Sequence, residues 1–326
     1  MGTKKPTIHW GIIGCGAVTE VKSGPALYQA EGSCVSGVFR RNIHKAHDYA
    51  SRHNIEHVFT SAKALINSAY VDAVYIATPP NSHCELALQV ATAGKPCCVE
   101  KPMANSYLDC QRMIAAFEKT EQALFVSYYR RSLPRFIQVQ RWLESGAIGK
   151  VRQVHWQFCK PANEIDRSGQ YNWRTDISIA PGGYFDDLAS HGLDLIQHLL
   201  GDIKNVSGLH NNQQQLYSSA DAISACWQHQ DGVMGSGNWN FGASDRRDRI
   251  EIIGSAGRIE FSVFQEQPIQ LFNNHGEKSL FIDNPTHIQQ YHVANMLAHL
   301  NGQGQHPSTG YSAAKTSWLM AQILRQ

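Results

Sequence analysis

Two different rhythms along the chain predict an α/β domain followed by an α+β domain. As far as Ser127, short apolar runs alternate with amphipathic stretches, the pattern of a parallel sheet flanked by helices. Beyond Ser127 the runs lengthen, and several alternate apolar with polar residues, the pattern of a mainly antiparallel sheet. A glycine turn, Gly14-Cys15-Gly16, follows the first apolar run, where a parallel sheet commonly holds a phosphate.

The first strand candidates are residues 8–13, 34–39, 73–78, 97–100 and 124–127, all short, nearly continuously apolar and several rich in Val or Ile. Helix candidates lie between them at 43–53, 61–67, 84–93 and 107–119, with Asn105 or Ser106 as N-cap of the last. Such alternation implies right-handed βαβ units. A helix at 136–144 with Gly146 as its stop opens the second half. Longer strands are expected at 151–158, 220–227, 233–241, 249–253, 258–264, 269–272 and 279–282, one helix is inserted near 186–200, and the tail from His287 returns to helix.

The 326 residues are enough for two cores, and we expect domains at 1–127 and 128–326, with the helical tail packing back on the first. A net charge of +2 offers no strong basic field and argues against nucleic acid as a partner. Charged residues form 17% of the chain, below the ~25% of an average globular protein. That leaves room for buried surface, including a homodimer or homotetramer interface on the open C-terminal sheet. Eight scattered cysteines with no CxxC pair read as reduced thiols of a cytoplasmic protein. No apolar run approaches the ~18 residues of a membrane helix. Gly2 is followed by Pro6, where a myristoylation signal wants Ser or Thr.

In the segment Gly11-Ile12-Ile13-Gly14-Cys15-Gly16-Ala17-Val18, Gly14 permits the tight turn and Gly16 lets main chain approach a phosphate. The N–H groups that open the helix, at Ala17 and Val18, face the anion. Thr19 stands where the fingerprint has Gly or Ala. An acid after the second strand would grip a ribose diol, but the strand runs into Arg40 and Arg41. Arginine forks suit a 2′-phosphate, so NADP is expected, with NAD possible; as ordinary loop residues both arginines would be solvated. Thr78, Pro79, Asn81 and His83 lie at the carboxyl end of the third run, where open sheets bind ligands. Asn81 or Ser82 equally suits a helix cap there.

Glu100-Lys101-Pro102 ends the next strand, where a lysine is well held to polarise a substrate oxygen; a surface lysine is the plain alternative. Farther on, Asp187, His191 and Asp194 share a helix face if the segment is helical. Three readings stand: a solvated Asp–His pair, a metal site of His191, Asp194 and His198, and a proton-transfer site.

These segments resemble the glucose–fructose oxidoreductase, inositol dehydrogenase and MocA group (Gfo/Idh/MocA) over essentially the whole chain. The resemblance rests on GIIGCGAV, TPPNSH, EKP, YYRR before Pro134, and GGYFDDLASHGLDL. It implies an N-terminal Rossmann domain, a C-terminal open antiparallel sheet and a cleft between them. It also implies that Lys101, Asp187 and His191 surround the reacting carbon and that Asn172-Trp173-Arg174 lies near nicotinamide and substrate. The reaction expected is hydride transfer between a nicotinamide and a secondary alcohol or carbonyl of a sugar, cyclitol or polyol. Tyr129, Arg130, Trp173, Arg174 and Tyr184 are candidates for lining the substrate. A cofactor-retaining glycosidase and a non-catalytic sugar or nucleotide sensor are the alternatives.

Overall fold

A computed structural model describes residues 7–325; the Gly2–Pro6 signal considered above lies outside them. The chain divides into two compact units, residues 1–132 with 285–314 and residues 133–284 with 315–326.

The first unit is built on strands β1 (Ile8–Ile13), β2 (Ser33–Phe39), β3 (His57–Val58), β4 (Ala73–Ile76), β5 (Cys97–Val99) and β6 (Leu124–Val126). They form one sheet in the order β3-β2-β1-β4-β5-β6, and every neighbouring pair is parallel. Its helices before the last strand are α1 (Ala17–Val21), α2 (Ser23–Gln29), α3 (Ile43–Arg52), α4 (Ala62–Ile66), α5 (His83–Thr92) and α6 (Tyr107–Lys119). Ser106 is the N-cap of α6, its hydroxyl accepting the Asp109 N–H. Strand alternation sends side chains to two cores. Val74, Ile76, Cys97 and Val99 pack with α5 and α6, while Tyr75, Cys98 and Phe125 pack with α2 and α3. The strand order reverses between β1 and β4, the switch point where open sheets bind ligands.

The second unit begins with α7 (Pro134–Glu144), whose end is followed by Gly146 at φ +68. Then come β7 (Val151–Cys159), α8 (Glu164–Arg167) and α9 (Ser190–Leu200), and after them β8 (Ile203–Asn211), β9 (Ala222–His229), β10 (Met234–Asn240) and β11 (Arg247–Gly254). Strands β12 (Gly257–Phe261), β13 (Ile269–Asn273) and β14 (Gly276–Leu280) complete a sheet ordered β14-β13-β12-β11-β7-β10-β9-β8. All its pairs are antiparallel except β7 with β10. One face carries Trp156, Phe158, Trp227, Trp239 and Ile250, all buried. Helix α9 presses so closely on that face that a Cβ at Gly192 would lie 2.3 Å from the Trp156 ring.

Two more helices follow, α10 (Gln290–Leu300) in the first unit and α11 (Gly310–Leu324), which enters the second unit at Lys315. Two strands escape the sequence pattern for physical reasons. β3 has only two residues, and β8 is an edge strand with Ile203 and Gly208 alone buried, so neither shows alternation. All eight cysteines are free thiols. Among the described residues no helix is long and apolar enough to cross a membrane.

Candidate active site

In the first unit the glycine turn closes β1 onto its neighbours. Gly14 adopts φ +92, and its N–H donates to Phe39 O at 2.8 Å. A Cβ there would lie 2.9 Å from both Ala77 C and Thr78 N, so the turns after β1 and β4 meet at this glycine. A Cβ on Gly16, by contrast, would meet only Gly14 O at 3.8 Å, leaving open space before the main chain. Thr19 replaces the fingerprint residue with a local device: its hydroxyl accepts the Gly16 N–H at 2.9 Å and donates to Gly16 O at 3.0 Å. The first-turn N–H groups of Ala17 and Val18 have no intrahelical acceptor. An open approach lined by main-chain donors fits a dinucleotide pyrophosphate.

The two arginines after β2 part company. Arg40 is half-buried and donates from Nη1 to Cys15 O at 2.9 Å, whereas Arg41 is exposed. Cys15 itself is wholly buried, which pushes its thiol up to about 11 despite the Arg40 charge, so it is not a reactive thiolate.

After β4, Ser82 donates to Thr78 Oγ1 at 2.7 Å and to Pro79 O at 3.0 Å, setting the Pro79 bend. Asn81 is exposed. His83 is not placed as the sequence suggests. It is wholly buried, with Nε2 2.7 Å from Thr78 O and Nδ1 3.1 Å from Pro102 O, and burial lowers its pKa. Its ring braces one ligand loop against the next instead of offering a nitrogen to a cofactor.

Lys101 follows β5 with its peptide to Pro102 cis. Its neighbour Glu100 is the anchor. One Glu100 oxygen accepts Tyr75 Oη–H at 2.7 Å and Gln289 Nε2–H at 3.1 Å; the other accepts the Lys101 N–H at 3.3 Å. Ser127 Oγ lies 2.9 Å from the same phenol oxygen. Tyr129 and Arg130 are both buried, with the guanidinium 5.0 Å from the ring centre. Burial alone would raise the Tyr129 phenol, but Arg130, Lys22 and Lys101 outweigh it and bring it below its ordinary value.

In the second unit, residues Phe185–Ala189 form a π-helical turn that runs into α9. Asp187 is therefore not one ordinary α-helical turn from His191; the wider turn re-aims it, as such turns often do at functional sites. Arg174 Nε donates to Asp187 Oδ2 at 3.1 Å, and the Arg174 guanidinium lies 4.4 Å over the Trp173 ring. His191 is nearly buried, its ring edge-on to Phe264 at 5.8 Å. Asp194 is buried and accepts Thr316 Oγ1–H at 3.1 Å, a bond toward α11. Among the described residues no group of three His, Cys, Asp or Glu side chains has metal-binding geometry.

Tyr184, expected to line the substrate, is largely consumed by structure. Its hydroxyl donates to Asp166 Oδ2 at 2.6 Å and accepts Asn172 Nδ2–H at 2.7 Å. Burial first, then Asp166, raises its phenol well above the ordinary range. Sequence reasoning missed Tyr75, Gln289, Lys22, Lys160 and Asp166. Only Lys160 left a signal, continuing the inward parity of Val154, Trp156 and Phe158 on β7.

Residues 8–128 match the family model described as an oxidoreductase family, NAD-binding Rossmann fold, and residues 136–260 match the GFO/IDH/MocA C-terminal domain. The chain is 36% identical over 314 residues to Oxidoreductase P35 of Formosa agariphila, covering 96% of this chain and 97% of that one. It is 25% identical to 1,5-anhydro-D-fructose reductase of Ensifer adhaerens, over 93% and 91% of the two chains. A levoglucosan dehydrogenase solved with NADH shares the fold at a TM-score of 0.89 and 19% identity, over 98% and 96% of the two chains.

Proposed function

This chain belongs to the Gfo/Idh/MocA family of NAD-binding oxidoreductases, of the sugar and cyclitol dehydrogenase type, and we propose that it interconverts a secondary alcohol and a ketone on a sugar, cyclitol or related polyol. The observation that carries this reading is the buried clamp of Tyr75 and Gln289 on Glu100, which fixes the main chain of Lys101 beside the ligand-binding edge of the Rossmann sheet.

When bound, the nicotinamide ring takes up or supplies the hydride. The main-chain N–H groups of Ala17 and Val18 would hold the pyrophosphate, with Gly16 leaving room for its approach, and Thr78, Pro79 and Asn81 would border the dinucleotide. Arg40 and Arg41 offer a 2′-phosphate two cations where an acid would have favoured a free ribose diol, so NADP is the preferred form. In the oxidation direction His191 takes the hydroxyl proton while the carbon loses its hydrogen with both bonding electrons; in reduction it returns that proton. The Lys101 ammonium hydrogen-bonds the same oxygen and stabilises charge developing on it. Asp187, held by Arg174, orients His191 or binds a neighbouring hydroxyl. Tyr129, Arg130, Trp173 and Arg174 contact the rest of the sugar.

The eight free thiols favour a cytoplasmic setting, and the exposed face of the eight-stranded sheet, with Leu209 and Met234 on it, favours self-association. Light scattering that finds only monomer removes the second statement.

The test is a fluorescence titration with NADP and NAD, followed by an absorbance screen of polyols and their keto forms. Net change of nicotinamide absorbance with at least one polyol is expected. Cleavage of glycosides with no net change replaces the reading with a hydrolytic one, and cofactor binding without any turnover replaces it with a sensor.

A further inference from the structure

Lys160 stands two residues beyond Phe158, so the inward face of β7 ends in a cation. Its main-chain N–H donates to Asn240 O at 3.0 Å, pinning it beside β10. The ammonium donates to Asn163 Oδ1 at 2.7 Å and lies 4.9 Å from the centre of the Tyr184 ring. Neither nearby acid balances it by contact, since Asp166 is engaged by Tyr184 and Asn172, and Asp187 is engaged by Arg174. Burial holds the ammonium below the ordinary lysine value, with Arg246 adding to the shift and Asp166 and Asp187 opposing it.

Arg246 comes to the same place from the loop between β10 and β11. Its guanidinium lies 5.8 Å from the Phe158 ring and 5.9 Å from the Phe264 ring, and Phe264 is the ring that meets His191 edge-on. Among the described residues Arg246 makes no hydrogen bond or ion pair. The two cations face one another at the end of an apolar strand face, and among the described residues neither has a carboxylate in contact, so an incoming anion can be met by both at once. We propose that Lys160 and Arg246 form a subsite for an anionic substituent, a carboxylate or a phosphate, on the carbohydrate that this protein binds.

That the ligand is a carbohydrate, and a substrate, rests on the function proposed above; the meeting of the two cations does not. The two are therefore measured separately. Binding is read by calorimetry on the full chain with saturating reduced cofactor, so that no alcohol is oxidised. Matched neutral, uronate and 6-phosphate members of the gluco, galacto and manno series are the probes, and the uronate and phosphate arms tell the two anions apart. At least one anionic member is expected to bind ~10-fold or more tightly than its neutral partner, and to weaken as salt is raised. Lys160→Met and Arg246→Met should each cost the anionic member ~10-fold more affinity than they cost the neutral one, and Lys160→Arg should restore most of it. Unchanged thermal melting separates this from misfolding; if Lys160→Met melts early, the exposed Arg246→Met decides. Equal affinity of neutral and anionic members, or equal losses in the variants, overturns the proposal. Anion-selective binding with no turnover of any member leaves the subsite standing and removes the oxidoreductase role. Turnover of neutral sugars without anion selectivity does the reverse.

Discussion

The Tyr75 hydroxyl donates to the Glu100 carboxylate at 2.7 Å inside the first unit, where Tyr75 is fully buried and Glu100 nearly so. A charge in that position is tolerated because Gln289 and the Lys101 N–H supply the remaining donors. Removing one donor while keeping the ring exposes the cost. Tyr75→Phe is expected to lower unfolding free energy by ~1–3 kcal/mol in urea titration, since it leaves a buried carboxylate short of a partner. A loss below a few tenths would show that the clamp is slack.

On the roles proposed for them, stabilising the reacting oxygen and accepting its proton, Lys101→Met and His191→Ala are each expected to lower kcat by ~10² or more. Steady-state rates with the native substrate decide, and near-normal turnover in either variant rejects that residue's role.

Cofactor choice tests the arginines. Arg40→Ala and Arg41→Ala should weaken NADP by ~10-fold more than NAD, since a guanidinium recognises the extra phosphate and not the ribose diol. Because Arg40 also bonds Cys15 O in the glycine turn, its replacement should weaken NAD as well, more than Arg41→Ala does. Fluorescence titration with both nucleotides gives the four ratios, and tighter wild-type binding of NAD defeats the preference.

Stability should fall with acid through a buried histidine. Burial, with His299 and Arg131 adding to it, holds His306 down to about 4, while its bonds to His292 and Ser308 oppose the shift. The unfolded chain, with a histidine near pH 6.5, takes up the proton first. The contribution is therefore complete above about pH 6.5 and is lost as the pH falls toward 4. His306→Gln should flatten the dependence of unfolding free energy on pH in that window by up to ~1.4 kcal/mol per pH unit. An unaltered slope in urea titrations across the window contradicts this.

Gly192→Ala drives a methyl group to 2.3 Å from the Trp156 ring. Helix α9 must then lift or the indole must shift, at ~1–3 kcal/mol. Because His191 is adjacent, kcat should fall with the melting temperature, and a variant of unchanged melting temperature shows that the contact yields freely.

Local pattern is enough for the two rhythms, the strands β1, β2, β4, β5 and β6, and the turn at Gly14. These depend on local terms: apolar periodicity, capping, and a φ of +92 that only glycine adopts without strain. It also offers Lys101, Asp187 and His191 as candidates by residue type and order. Only the folded chain brings up the partners that fix the residues around them. Gln289 reaches Glu100 across 189 positions, Arg40 turns back on Cys15 across 25, and Thr316 meets Asp194 across 122. No local pattern encodes such partners, because buried polar groups are satisfied by whatever side chain packing delivers to them. The π-helical turn before α9 belongs with them. Sequence spacing assumes 3.6 residues per turn, and one inserted residue re-aims Asp187 without altering any letter that a periodicity counts.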